Sequence, residues 1–260
     1  MTTGTARLVR SEPIEGGRVH HILLDAPKGN ILSMAMCGEL SAALRERQDD
    51  PGVKMVLLEG AGSHFSFGAS VEEHEKDRVA AMLSAFHGLV RTVASHPVPI
   101  AALVKGQCLG GAFELVLACH LVFCTPRATM ACPEVKLGVF PPVLAAVGPL
   151  RLGYATSERL LLSGGVLSAE EALRAGLATR LVEDADGVLA WYREHLAPLS
   201  AFAIRQATKV SRTAGGMLAA LDGPLQAAEE QYLAELVPSH DGNEGIEAFL
   251  ERRPPIWRDR

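Results

Sequence analysis

The sequence predicts an α/β protein built from buried strands that each turn into a helix. Two observations carry that expectation. Val98-Pro-Ile-Ala-Ala-Leu-Val104, Lys54-Met-Val-Leu-Leu-Glu-Gly60 and Leu121-Val-Phe-Cys124 are short apolar runs, the first two closing on a glycine turn. Such runs read as strands covered on both faces. Helix-compatible stretches lie between them, the arrangement expected of parallel strands joined by crossovers. From about Asp184 the pattern changes, and the remainder reads as helix after helix. Periodicity alone does not separate a doubly wound sheet from other strand-and-helix coils.

The first β-rich stretch, Arg18 to Leu24, ends at Asp25-Ala-Pro27-Lys28-Gly29-Asn30, a loop by composition. The adjacent His20 and His21 point to opposite faces of that strand. Ser33 is placed to cap a helix bearing Met36, Leu40 and Leu44. After the strand at Lys54, the loop Ser63-His-Phe-Ser-Phe-Gly68-Ala69-Ser70 is flanked by His64 and His74, both expected to be exposed. No acid is placed to complete a triad with Ser66, and no nucleophile-elbow pattern surrounds it. Asp77 to Ser95 reads as an amphipathic helix with Val79, Met82, Leu83, Phe86, Leu89 and Val93 on the core side.

The central stretch is Lys105-Gly-Gln-Cys-Leu-Gly110-Gly111-Ala-Phe-Glu114, continuing to Cys119. Paired glycines where a buried strand becomes a buried helix allow close backbone approach. The first N–H groups of that helix lack internal partners and sit at the positive end of its dipole, a place for a developing oxyanion. Glu114 falls in the first turn, on the side of the Gly111 N–H. A glutamate there also serves as a dipole partner or cap, and spacing alone leaves both open. Further on, Ser168-Ala-Glu-Glu171 is a capping box and Gly176 ends its helix. Helical segments then run from Gly187, with breaks near Pro198, Gly215-Gly216 and Pro238.

Composition narrows the functions. Hydrophobic residues form 48% of the 260-residue chain and the net charge is −5 with both signs interspersed, so nucleic acid and anionic membranes are poor partners. Cys37, Cys108, Cys119, Cys124 and Cys132 form no C-x-x-C pair, and the odd count fits a reducing cytoplasm. No secretory apolar core is visible at the N-terminus. The histidines show no metal-ligand spacing, and no phosphate-cradling glycine motif occurs, so neither a metal nor a nucleotide cofactor is expected.

Three segments in order, Phe65-Ser-Phe-Gly68-Ala69, Leu109-Gly110-Gly111-Ala-Phe-Glu114 and Pro133-Glu134 ahead of Leu137-Gly138, resemble the crotonase (enoyl-CoA hydratase/isomerase) family over essentially the whole chain. The resemblance implies a crotonase-type ββα superhelix with a C-terminal helical trimerisation region. It implies residues 1–183 as the catalytic core and 184–260 as an oligomerising region that also covers part of the site. It implies Glu114 and Glu134 as catalytic acid and base, in either order, with the Ala69 and Gly111 N–H groups as the oxyanion hole. Lys28, Phe67, Gly68, Gly110, Phe140 and Pro141 are the expected substrate contacts. Lys28 would lie at the nucleotide end of coenzyme A, although a solvated loop lysine is as good a reading. Phe113 borders the site or belongs to the core. Coenzyme A would enter as part of the substrate, and the assembly would be a trimer or a hexamer. The C-terminal apolar residues Leu189, Leu196, Leu225, Leu233 and Leu236 serve that assembly or simply close the parent domain.

The chain departs from common family patterns at Ser70 and His120, where aspartate is frequent. After Leu137-Gly138, hydratases often read Ile-Pro-Gly and further glycines; here Val139-Phe140-Pro141-Pro142-Val143-Leu144 follows. Two prolines stiffen that loop, and Phe140, Val143 and Leu144 offer apolar area to a flat ring. This combination resembles the branch of the family that hydrates cyclohexa-1,5-diene-1-carbonyl-CoA to 6-hydroxycyclohex-1-ene-1-carbonyl-CoA in anaerobic aromatic degradation. Short-chain 2-enoyl-CoA hydration and a non-catalytic acyl-CoA-binding scaffold are the alternatives.

Overall fold

Nine strands sort into two sheets in the computed structural model, which describes residues 7–260. They are β1 (Val9–Ile14), β2 (Val19–Leu24), β3 (Met55–Gly60), β4 (Ile100–Val104), β5 (Gln107–Leu109), β6 (Leu121–Cys124), β7 (Thr129–Ala131), β8 (Val166–Ser168) and β9 (Arg180–Leu181). The larger sheet has the order β1-β2-β3-β4-β6-β9, parallel except for the β1–β2 hairpin. The smaller has the order β5-β7-β8.

Ten α-helices accompany them: α1 (Met34–Glu46), α2 (Val79–Ala94), α3 (Gly111–Ala118), α4 (Pro142–Leu152), α5 (Tyr154–Ser163), α6 (Ala169–Arg174), α7 (Ala185–His195), α8 (Ala201–Ala214), α9 (Met217–Gln231) and α10 (His240–Glu251). Ser33 caps α1 by accepting from Met36 N–H, and Ser168 with Glu171 forms the expected capping box on α6. The helix expected over Asp77 to Ser95 is shorter by two residues at its start and one at its end, because Arg78 caps its start without a side-chain bond and the backbone leaves the helix at Ser95. After α6 the chain rejoins the large sheet only at β9, beside β6.

Alternation along the central strands splits the core. Val56, Leu58, Ile100, Ala102, Val104 and Val122 face α1, α2 and α3, whereas Met55, Leu57, Ala101, Leu103 and Phe123 face Val188, Leu189 and Tyr192 of α7. Burial on both faces is why these strands are apolar without a polar stripe. Glu59 is the exception, and its carboxylate is matched by Lys105 Nζ at 2.8 Å and His21 Nε2 at 2.9 Å.

Each turn of the coil follows one rule: a strand of the large sheet, a short strand or bridge of the small sheet, then a helix. β3 leads to a Ser66 bridge and α2, β4 to β5 and α3, β6 to β7 and a 3-10 turn ahead of α4. This is the ββα superhelix, and a doubly wound sheet is excluded. The second strands escape sequence reading because β5 and β7 are three residues each, too short for any period to register.

Candidate active site

The small sheet gathers segments far apart in the chain. Ser66 bridges Cys108, and Cys108 pairs with Met130 in parallel register. Three residues after Ser66 comes Ala69, two and three after Cys108 come Gly110 and Gly111, and four after Met130 comes Glu134. Parallel strands run on in the same direction, so all three tails emerge at one end.

Their close approach is visible at the glycines. A Cβ built on Gly111 would lie 3.4 Å from Ala69 Cβ, and one on Gly68 only 2.5 Å from the Leu109 carbonyl oxygen. Gly110 adopts φ +52°, ψ −131°, and a Cβ there would lie 2.7 Å from Glu134 Oε1. Only a glycine lets the Glu134 carboxyl rest over this backbone. The Ala69 and Gly111 N–H groups have no acceptor among the described residues, leaving two adjacent donors free. Ser66, fully buried, donates to the Asn30 carbonyl at 2.7 Å and accepts from Gly68 N–H at 3.0 Å, so its hydroxyl shapes the loop.

Glu114 is 3% exposed, and its Oε1 accepts from Val143 N–H at 2.7 Å and Leu144 N–H at 2.9 Å. These are first-turn donors of α4, which Pro142 opens at a position where a missing N–H costs nothing. The Pro141-Pro142 pair thus starts the helix whose end holds Glu114. Glu134 sits in the 3-10 turn Pro133–Leu137, closed by left-handed Gly138, and its Oε2 is buried without a partner. Burial raises both carboxyls well above the usual carboxylate range; the Glu114 charge pushes Glu134 further, whereas the two N–H bonds oppose the rise at Glu114. Such a pair titrates as a unit, holding one proton where two isolated carboxylates would hold none.

Tyr232, near enough to feel the charges of both acids, was not legible in the sequence. It opens a π-helical turn, Tyr232–Leu236, at the end of α9, is 3% exposed, and meets the Phe140 ring edge-on at 5.5 Å. Burial, then the charges of Glu134 and Glu114, push its hydroxyl upward, so it stays protonated beside both acids. A tyrosine 98 positions downstream of Glu134 carries no local motif; only a π-turn, itself frequent at functional sites, marks it.

The remaining expected contacts divide. Pro141 is buried and Phe140 half-buried against Tyr232. Phe113, Val143 and Leu144 are fully buried, so their side chains are core, and the ring-facing area expected from Val143 and Leu144 is not offered. Phe67 turns outward, 40% exposed, covering Gly29 and meeting the His64 ring at 5.0 Å. Phe67 therefore belongs with the loop of exposed Lys28, beside a cavity of about 440 Å³ that Lys28 and His64 line, and does not narrow the site at the glutamates. His64 and His74 are half-buried rather than exposed: His64 Nδ1 accepts from Gln107 N–H and His74 Nδ1 meets the Ser70 carbonyl. A larger cavity, about 550 Å³, lies elsewhere, between α7, α8 and the strand end at Leu121.

A protein-family model described as Enoyl-CoA hydratase/isomerase matches residues 15–260. The cyclohexa-1,5-dienecarbonyl-CoA hydratase of Thauera aromatica is 42% identical over 94% of both chains. A probable enoyl-CoA hydratase of Bacillus subtilis is 32% identical over 89% of this chain and 92% of its own. Among solved structures, an enoyl-CoA hydratase/isomerase from Xanthobacter autotrophicus Py2 superposes with a TM-score of 0.84 at 28% identity, covering 95% of this chain and 94% of that one.

Proposed function

The chain belongs to the enoyl-CoA hydratase/isomerase family and is a hydro-lyase of the enoyl-CoA hydratase type, and from that premise we propose that its substrate is cyclohexa-1,5-diene-1-carbonyl-CoA. The observation that carries the catalytic assignment is the pair Glu114–Glu134, the first buried and the second half-buried with its Oε2 enclosed, both raised, beside two unpartnered N–H groups. The thioester carbonyl accepts from Ala69 and Gly111 N–H, which stabilise the enolate. One such donor is worth roughly two to three orders of magnitude in rate. One glutamate, ionised, takes a proton from water as the hydroxyl bonds to the β-carbon. The other, protonated, delivers a proton to the far end of the conjugated enolate. The net change adds one water, and the pair is restored when the proton passes back between the carboxyls.

The ring reading is supported by the similarity to the Thauera aromatica hydratase and by half-buried Phe140, which meets Tyr232 edge-on ahead of Pro141-Pro142. The two prolines fix the backbone that follows Phe140 and so limit the movement of its ring. Lys28 and Phe67 form the outer part of the site, toward the nucleotide of coenzyme A. No metal or further cofactor has a role in this scheme. Helices from Ala185 onward are proposed to build a trimer or hexamer, since α8 exposes Phe202 at 72% and Val210 at 60% beside the 550 Å³ apolar cavity. No helix among the described residues is long and apolar enough to cross a membrane, and a cytoplasmic site of action is proposed with the buried free cysteines.

The test compares kcat/KM for cyclohexa-1,5-diene-1-carbonyl-CoA and crotonyl-CoA, a ratio that measures differential transition-state binding. Higher efficiency on the ring diene is expected; equal or higher efficiency on crotonyl-CoA rejects the ring while leaving the hydratase. Glu114→Gln and Glu134→Gln each lower kcat by at least about a hundredfold, the ordinary scale of general acid–base catalysis. Binding of acyl-CoA without turnover of either ester is the result that would favour the scaffold reading. Light scattering checks the assembly, and a monodisperse monomer at micromolar concentration contradicts it.

A further inference from the structure

A second polar cluster lies at the opposite end of α4 from Glu114. Arg151 occupies the last turn of α4, Arg212 the last turn of α8, and His120 the bend between α3 and β6. At about 1.5 Å per residue, the helix separates Arg151 from the Glu114-binding N–H groups by roughly 12 Å. The three side chains line one cavity of about 330 Å³, which no carboxylate enters.

Each of the three is short of a partner. Arg151 Nε, Arg212 Nη2 and His120 Nε2 are buried without a hydrogen bond, while His120 Nδ1 already accepts from Ile100 N–H. Neither arginine forms an ion pair among the described residues. Arg212 is only 6% exposed. Burial and the neighbouring Arg151 charge depress it to about 10, and burial with the arginine charges pushes His120 down. Helix C-termini favour cations, but a dipole end supplies only part of a charge and leaves the guanidinium forks unmatched. A buried and a half-buried like charge, each with an orphan donor, are unstable without a counter-charge.

We propose that Arg151, Arg212 and His120 form a receptor for an oxyanion, a tetrahedral phosphate or sulfate or a carboxylate, separate from the catalytic pair. Guanidinium forks match both geometries through paired N–H bonds. The two sources are a free oxyanion and a carboxylate side chain of a second copy of this chain. The second source is geometrically open because His120 and Ser211 also line the apolar cavity of about 550 Å³ against α8.

The experiment titrates the full-length protein with sulfate and with inorganic phosphate at constant ionic strength by calorimetry, and measures its assembly by sedimentation. Arg151→Met, Arg212→Met and Arg212→Lys are compared with the unaltered protein; the lysine variant retains charge if the methionine variant fails to fold. Saturable uptake of one oxyanion per protomer, lost in both methionine variants and weakened at least about tenfold in Arg212→Lys, supports the free anion. No uptake, with the variants shifted to smaller assemblies, supports the carboxylate of a second copy. Uptake that ignores all three substitutions, or no uptake with assembly unchanged, overturns the proposal.

Discussion

Replacing Gly110 by alanine tests whether the position of the Glu134 carboxyl matters in itself. The new Cβ would stand 2.7 Å from Glu134 Oε1, and ordinary contact begins at 3.4 Å, so the carboxyl must retreat by about 0.7 Å. It is the free end of a side chain and can yield, so the clash costs little stability. The displacement, however, falls on a reacting group, and misplacement on the 1 Å scale costs about a hundredfold in rate. A 10- to 100-fold loss in kcat is therefore expected, with KM changed far less. The backbone adds a separate cost: φ +52° with ψ −131° is strained for any residue with a Cβ, by about 1–3 kcal/mol. For a chain of this size that lowers Tm by roughly 2–4 °C per kcal/mol. Gly153→Ala is the control, because Gly153 also has positive φ (+74°) but nothing within 4 Å of its Cβ. It shares the strain without touching a carboxyl. Steady-state hydration kinetics and thermal unfolding of both variants separate the effects. A Gly110→Ala enzyme whose kcat stays within about twofold of Gly153→Ala would show that the carboxyl need not sit over this glycine.

Two further outcomes follow from the pair and its neighbour. The raised Glu134 carboxyl keeps its proton in the folded protein at pH values where the unfolded chain has lost it, so its contribution to stability is whole below the ordinary value of 4.5 and declines as pH rises toward its folded-state value. Glu134→Gln removes that decline, and its stability relative to the unaltered protein should climb above about pH 4.5; a flat difference in denaturant titrations between about pH 5 and pH 9 refutes the assignment. Tyr232→Phe removes the neutral hydroxyl that feels both acids' charges while keeping the ring against Phe140, so kcat should fall about tenfold, or about 1.4 kcal/mol, with the pH profile displaced and KM held within about threefold. An unchanged profile removes Tyr232 from the site.

The local chemistry of the chain was readable from residues within a few positions of one another. Ser33 at the start of α1 and the Ser168–Glu171 box on α6 are sequence-local devices, and each stands where the sequence places it. The same holds for Glu114 in the first turn after Gly110-Gly111, because a helix start depends on its own first few residues. The family resemblance added the order of the three segments and the superhelix that periodicity left undecided. How the segments meet follows from long-range pairing instead. The register Ser66–Cys108–Met130 sets Glu134 over Gly110 through strands too short to show a pattern. The start of α4 reaches across to Glu114, which turns Val143 and Leu144 from ring contacts into backbone donors. Phe67 faces the Lys28 loop rather than the acids, and Tyr232 arrives from the C-terminal helices. These placements depend on pairing and packing between residues tens of positions apart, whose energy belongs to the contact and leaves no period, cap or turn in the sequence at either end.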